Sequence, residues 1–231
     1  MSLTMRHAPM YHPSLDHDSC GVGLVADVHG RPSREIVEKA LAGLINLTHR
    51  GGVGADARTG DGAGINTQIP HALFAETLAE FGAGNLGPGE YAVAMTFLPR
   101  AEDATNGKRI LEAALEKRGL QLLGWREVPI DPSVLGETAK RALPDVWQAF
   151  IARPEGMDIP AFEKALMIAR RIAEREAAAA AMPDFFICSI SARTVVYKGF
   201  CLPEDLARFY LDLQDERVES AIVLFHQRYS T

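Results

Sequence analysis

Six glycines crowd the fourteen residues Gly51–Gly64, and no other stretch of the chain restricts its fold as strongly. Glycine loses the most backbone freedom in a helix or strand and tolerates positive φ, so the run must be a loop in which backbone comes close to something. Its flanks set the local order. Cys20–Val28 is a short apolar, partly β-branched run closed by the turn signal His29-Gly30-Arg31-Pro32. Ser33 can then cap a helix on which Ile36, Val37, Ala40, Leu41, Leu44, Ile45 and Thr48 recur at helical spacing. Ile65–Ile69 resumes a strand. The order is strand, helix, glycine loop, strand, with His49 and Arg50 delivered to the loop.

Beyond the loop, the pattern predicts a helix from His71 that stops near Gly82 and Gly84, then a strand over Tyr91–Leu98. Residues 101–154 read as a unit of their own: a helix to Arg118-Gly119, a strand over 120–128, a helix over 133–142 and a strand over 146–153. Such alternation indicates α+β rather than a parallel βαβ series. The longest helix is expected over 160–182. Phe185–Ile190 and Thr194–Lys198 are predicted as strands of a tight hairpin through Ser191-Ala192-Arg193. A short helix near Pro203–Tyr210 precedes a last strand over 219–228, where Ile222, Leu224 and His226 alternate with Val223, Phe225 and Gln227. An ending directly after so apolar a strand suggests part of a longer protein.

The chain has 231 residues, 47% of them hydrophobic and 23% charged, which suits one soluble globular domain or one domain with a sizeable insertion. With a net charge of -6 and a pI of about 5.7 it has no broad cationic surface for a phosphate backbone, and nucleic acid is not an expected partner. No run is apolar and long enough for a membrane span, and the first nineteen residues lack the apolar core of a secretory signal. Cys20, Cys188 and Cys201 are odd in number and lack metal-ligand spacing, which points away from disulfides and zinc and toward a reducing cytoplasm. Asp61-Gly62-Ala63-Gly64 lacks the Lys-Ser/Thr of a phosphate loop and reads as tight backbone packing near a cleft.

Cys20 carries the most reactive chemistry the chain can offer, but a thiol needs a base and no Cys/His pair at motif spacing supplies one. Cleavage between Ser19 and Cys20 would create an α-amino group with a reference pKa of about 8, able to take the thiol proton. Nucleophile and base would then come from one residue. Taken alone, Cys20 reads more readily as a small core residue at a strand start than as a nucleophile.

Context decides between these readings. The blocks Asp18-Ser19-Cys20-Gly21-Val22-Gly23, Leu47-Thr48-His49-Arg50-Gly51-Gly52 and Thr59-Gly60-Asp61-Gly62-Ala63-Gly64-Ile65 resemble successive signatures of glutamate synthase large subunits. The resemblance continues through Phe186–Gly199 and Leu211–Arg217 to His226-Gln227-Arg228-Tyr229-Ser230-Thr231, so it covers essentially the whole chain. It implies an α+β fold, the four-layer αββα sandwich of the N-terminal-nucleophile hydrolases, with an α+β insertion at about 88–154. Residues 1–19 would be a leader removed to expose Cys20, and 20–231 a class II glutamine amidotransferase domain continued downstream.

The implied chemistry is attack of the Cys20 thiolate on the glutamine side-chain amide, release of ammonia, and hydrolysis of a γ-glutamyl thioester to glutamate. Arg228 matches the arginine that grips the glutamine α-carboxylate, which suits its planar fork, and Thr231 could add a hydroxyl to that group. Arg50 matches an arginine close to the nucleophile; as residues alone, Arg50 equally reads as a helix-end cation and Arg228 as a solvated strand-end residue. His49 and His226 read as structural. The family's Asn-Gly oxyanion pair and the acidic residue for the substrate amine are expected downstream of Thr231, and losing one oxyanion donor commonly costs ~10²–10³-fold in rate. No cofactor is expected in this segment; the whole synthase implies FMN, an iron–sulfur cluster, a flavin domain and a small electron-donating subunit as partner. Two alternatives remain: a catalytically silent interaction fragment, and an amidotransferase serving another acceptor.

Overall fold

The computed structural model describes residues 21–100 and 102–228 and contains two four-stranded antiparallel sheets with helices against them. The first sheet has the order β1-β8-β2-β7, from Gly21–Ala26, Ile222–Gln227, Ala63–Gln68 and Thr194–Gly199. The second has the order β4-β5-β3-β6, from Gln121–Glu127, Asp145–Ala152, Tyr91–Leu98 and Phe186–Ser191. Both are the α+β arrangement the alternating patterns predict.

One face of the first sheet is buried. Val25, Val223, Phe225, Ala63, Ile65, Val195 and Tyr197 alternate inward and pack with Val37, Ala40 and Leu44 of α1 (Arg34–Asn46). Ser33 caps α1 as expected, its hydroxyl accepting the Ile36 amide at 3.4 Å. The same core runs on to α2 (His71–Glu80) and to Tyr91, Val93 and Phe150 on the near face of the second sheet. The far face of that sheet, with Ala92, Ala94, Ala149 and Ile151, packs on α3 (Glu102–Glu116) and α5 (Ile159–Ala179) in a second core. Asp158 caps α5, and residues 91–191 thereby supply the whole second sheet and its two long helices.

A buried charge cluster ties the sheets together. Arg126 of β4 donates to both oxygens of Asp212 at 2.9 and 2.7 Å and to Gln148 of β5 at 2.8 Å, while Tyr197 of β7 donates to Asp212 at 3.0 Å. Burial and the adjacent Asp212 charge hold the Tyr197 hydroxyl well above its ordinary range, so it is the donor in this contact.

Two local expectations are corrected. The predicted helix over 133–142 is split into a 3-10 turn at Pro132–Val134 and a short α4 (Glu137–Arg141). Between them Gly136 is the extended N-cap residue of α4 and lies so close to Thr59 that a Cβ would stand 2.6 Å from the Thr59 amide nitrogen. Ser191–Arg193 is not the tip of a paired hairpin either: β6 ladders with β3 and β7 with β2. The turn is a corner between sheets, pinned where Glu163 accepts from the Ser191 hydroxyl and the Ala192 amide. In place of a carbonyl, the Ser189 hydroxyl accepts the Val196 amide.

The other face of β1 and β8 is open. Val22 (67% exposed), Leu24 (58%), Ile222 (40%) and Leu224 (44%) share it, because Leu24 pairs with Leu224 and Val22 with His226. Among the described residues no helix is long and apolar enough to cross a membrane.

Candidate functional site

Three elements converge where β1 begins and β8 ends. The register sets Gly21 opposite Gln227, and Gln227 opposite Ala63 at the start of β2. After α1 the chain makes a 3-10 turn over Thr48–Arg50, in which the Arg50 amide donates to the Leu47 carbonyl at 2.7 Å. That turn lays Arg50 against β1: its Cβ stands 3.1 Å from where a Cβ on Gly21 would be. The two expected arginines, Arg50 and Arg228, therefore flank the Gly21–Gln227 pair. Cys20 and Thr231 lie outside the described residues.

The glycine loop closes over this point. Its two arms bridge at Val53 and Gly60, and the Asp61 amide donates to the Gly52 carbonyl at 3.2 Å. At the tip, the Asp56 carboxylate accepts from the Thr59 amide at 2.7 Å, the Thr59 hydroxyl at 2.6 Å and the Thr138 amide of α4 at 3.3 Å. These contacts hold the Asp56 carboxyl well below the ordinary carboxylate range, chiefly through Thr59. They also explain why Thr59 presses on Gly136. A side chain at Gly51 would overlap the Gln227 amide, so a Cβ there would displace Gln227 from its place beside Asp61.

Asp61 is then placed against the end of β8. Its Oδ2 lies 3.1 Å from Nε of Arg228, and its Oδ1 lies 3.5 Å from Nε2 of Gln227. Arg228 has φ of +79°, a left-handed backbone unusual for a side chain of this size, and its amide donates to the Gly62 carbonyl at 2.8 Å. Strain of this kind persists only where surroundings impose it, and it clusters at ligand clamps. Gln227 is 1% exposed, and its Oε1 has no hydrogen-bond partner among the described residues. A cavity of about 450 Å³ adjoins the loop, lined by Gly52, Asp61, Thr138, Ala139 and Phe200 among others.

The remaining sequence expectations fall outside this cluster. His49 lies 3.1 Å from the Asn46 carbonyl within its own turn. His226 points to the opposite face of β8, against Gly64, where burial first and Lys198 second lower its pKa. Burial pushes the Cys188 and Cys201 thiols up to about 12, which makes them poor thiolate ligands. Among the described residues no group of three or more His, Cys, Asp or Glu is placed to hold a metal ion. Sequence reasoning missed Asp61 and Gln227 as site members. The available signals were an acid flanked by glycines directly before a strand, and an inward-facing glutamine directly before Arg228.

Comparison with known proteins gives the family. The family model for class-II glutamine amidotransferases matches residues 20–231. The glutamate synthase [NADPH] large chain of Azospirillum brasilense is 41% identical over 97% of this chain, which covers 15% of that protein. The glutamate synthase [NADPH] large chain of Bacillus subtilis is 40% identical over 96% of this chain, covering 14% of it. The chloroplastic ferredoxin-dependent glutamate synthase of Oryza sativa is 39% identical over 94%, again with 14% of its length covered. The chain thus spans about one-seventh of the length of these relatives and, by its family match, belongs to the class-II glutamine amidotransferases.

Proposed function

We propose that this chain is the glutaminase part of a glutamate synthase, in which Cys20 is the nucleophile once residues 1–19 are removed and 20–231 form the start of the catalytic domain. The observation that carries the reading is the register of Gly21 opposite Gln227, which brings Arg228 to the start of β1, where Arg50 packs against Gly21. The α-amine of Cys20 takes the thiol proton. The thiolate attacks the glutamine side-chain carbonyl carbon, the C–N bond breaks, and ammonia leaves with the proton the amine held. Water then hydrolyses the γ-glutamyl thioester to glutamate and restores the thiol. Arg228 grips the substrate α-carboxylate, Thr231 adds a hydroxyl to it, and Arg50 lines the cleft beside the nucleophile.

The fold follows the same reading. We assign the open apolar face of β1 and β8 to a further sheet supplied by downstream chain, which completes the αββα layers and leaves the region around 88–154 as the insertion. The rest of the synthase adds the ammonia to 2-oxoglutarate in a flavin domain; FMN, the iron–sulfur cluster and an electron-donating subunit belong to that part, in the cytoplasm. The similarity to synthases along the whole chain favours this acceptor over others.

Mass spectrometry of the full-length large chain is expected to find a mature terminus at Cys20. Cys20→Ala in that protein should abolish ammonia release from glutamine. A mature chain that keeps residues 1–19, or glutamine cleavage that survives the substitution, overturns the proposal.

A further inference from the structure

Asp61 belongs to no expected set of site residues, yet its carboxylate meets Arg228 at Nε (3.1 Å) and lies beside the buried Gln227 amide. Its backbone is fixed on both sides, by its amide to Gly52 and by the Gly62 carbonyl that receives the Arg228 amide. The Arg228 backbone is held at φ +79° at the same point. A guanidinium has five N–H donors in one plane, and a carboxylate held at Nε fixes the orientation of that plane. We infer that Asp61 is a positioning residue that orients the Arg228 guanidinium for the substrate α-carboxylate, with Gln227 packed behind the pair.

This inference rests on the reading of Arg228 as the carboxylate grip. An arginine oriented before binding loses less side-chain freedom when glutamine arrives, so the effect belongs in substrate affinity rather than in the bond-breaking step. The pair is partly exposed, with about a third of each side chain accessible, which keeps the expected effect modest.

The test is a double-mutant cycle in the full-length large chain, reading KM and kcat for glutamine-dependent ammonia release. Asp61→Asn should raise KM for glutamine roughly five- to tenfold and change kcat less than about twofold, with Asp61→Glu recovering part of the loss. Added to Arg228→Lys, Asp61→Asn should raise KM no further. It should also narrow the preference for glutamine over glutaminamide, whose α-carboxylate is a neutral amide. If Arg228→Lys raises KM but Asp61→Asn does not, or if the two effects multiply in full, the positioning role is wrong and the carboxylate grip stands. An Arg228→Lys protein with unaltered KM sinks the grip and the inference together. Should Asp61→Asn fail to fold, Asp61→Ser carries the same cycle.

Discussion

The ring of Phe225 occupies the space that a side chain at Gly23, its cross-strand partner, would need. The same ring tip, Cζ, lies 2.7 Å from where a Cβ on Gly43 of α1 would stand. Helix α1, and with it the Arg50 turn, therefore sits at a height set by one aromatic ring between two bare backbones. Gly23→Ala should cost about 1–3 kcal/mol of stability by overpacking. Urea unfolding measures it, and Phe225→Leu in the same chain should lessen the cost of the alanine. Equal costs in both backgrounds would show that the ring does not set the spacing.

The Arg126–Asp212 pair predicts a different pattern. The side chain of Asp212 is 2% exposed and that of Arg126 18%, so removing either partner leaves a buried charge without its counterion. Asp212→Asn should destabilise the chain by about 3–5 kcal/mol, whereas Arg126→Met with Asp212→Leu should cost less than that single change. A double variant worse than Asp212→Asn contradicts this account of the cluster.

His226 makes stability depend on pH in a fixed direction. Burial, and then the charge of Lys198, lower its folded pKa, so between that value and the ordinary histidine pKa of about 6.5 the unfolded chain binds more protons. Stability should therefore rise with pH through this window and fall on acidification. Urea midpoints at about pH 5.5 and pH 7.5 give the slope, which His226→Gln should reduce. A slope unchanged in the variant assigns the dependence to other groups.

What the sequence revealed follows the range over which each signal acts. Helix α1 with its Ser33 cap, helix α5 and the alternation along β8 were legible because each is written within a few consecutive turns or residues. The start of α4 after the break was not, because the acceptors for its first amides are Asp56 and Thr59, distant in the chain and brought in by the glycine loop. The corner at Ser191–Arg193 carries the residues of a hairpin turn, and only the pairing of β6 with β3 and of β7 with β2 decides that the strands part. At the site, Arg50 and Arg228 were reached through motif resemblance, while the Asp61–Arg228 contact depends on β2 and β8 becoming neighbours.

The open face of the first sheet gives the last prediction. Leu224 sits on β8 opposite Leu24 and is 44% exposed, and Val22 and Ile222 extend the same apolar surface. Contiguous exposed apolar surface of this kind usually marks an interface. If downstream chain forms the layer proposed to cover it, a thiol introduced as Leu224→Cys should alkylate readily in the 231-residue chain and slowly in the complete large chain. Leu224→Ala should be nearly neutral in the short chain, as exposed substitutions usually are, and cost about 2–5 kcal/mol where a layer buries it. The labelling comparison is the more direct measurement, because a multidomain protein need not unfold in two states. Equal alkylation rates in the two proteins would mean that the face stays open to solvent, and the four-layer arrangement would have to be abandoned.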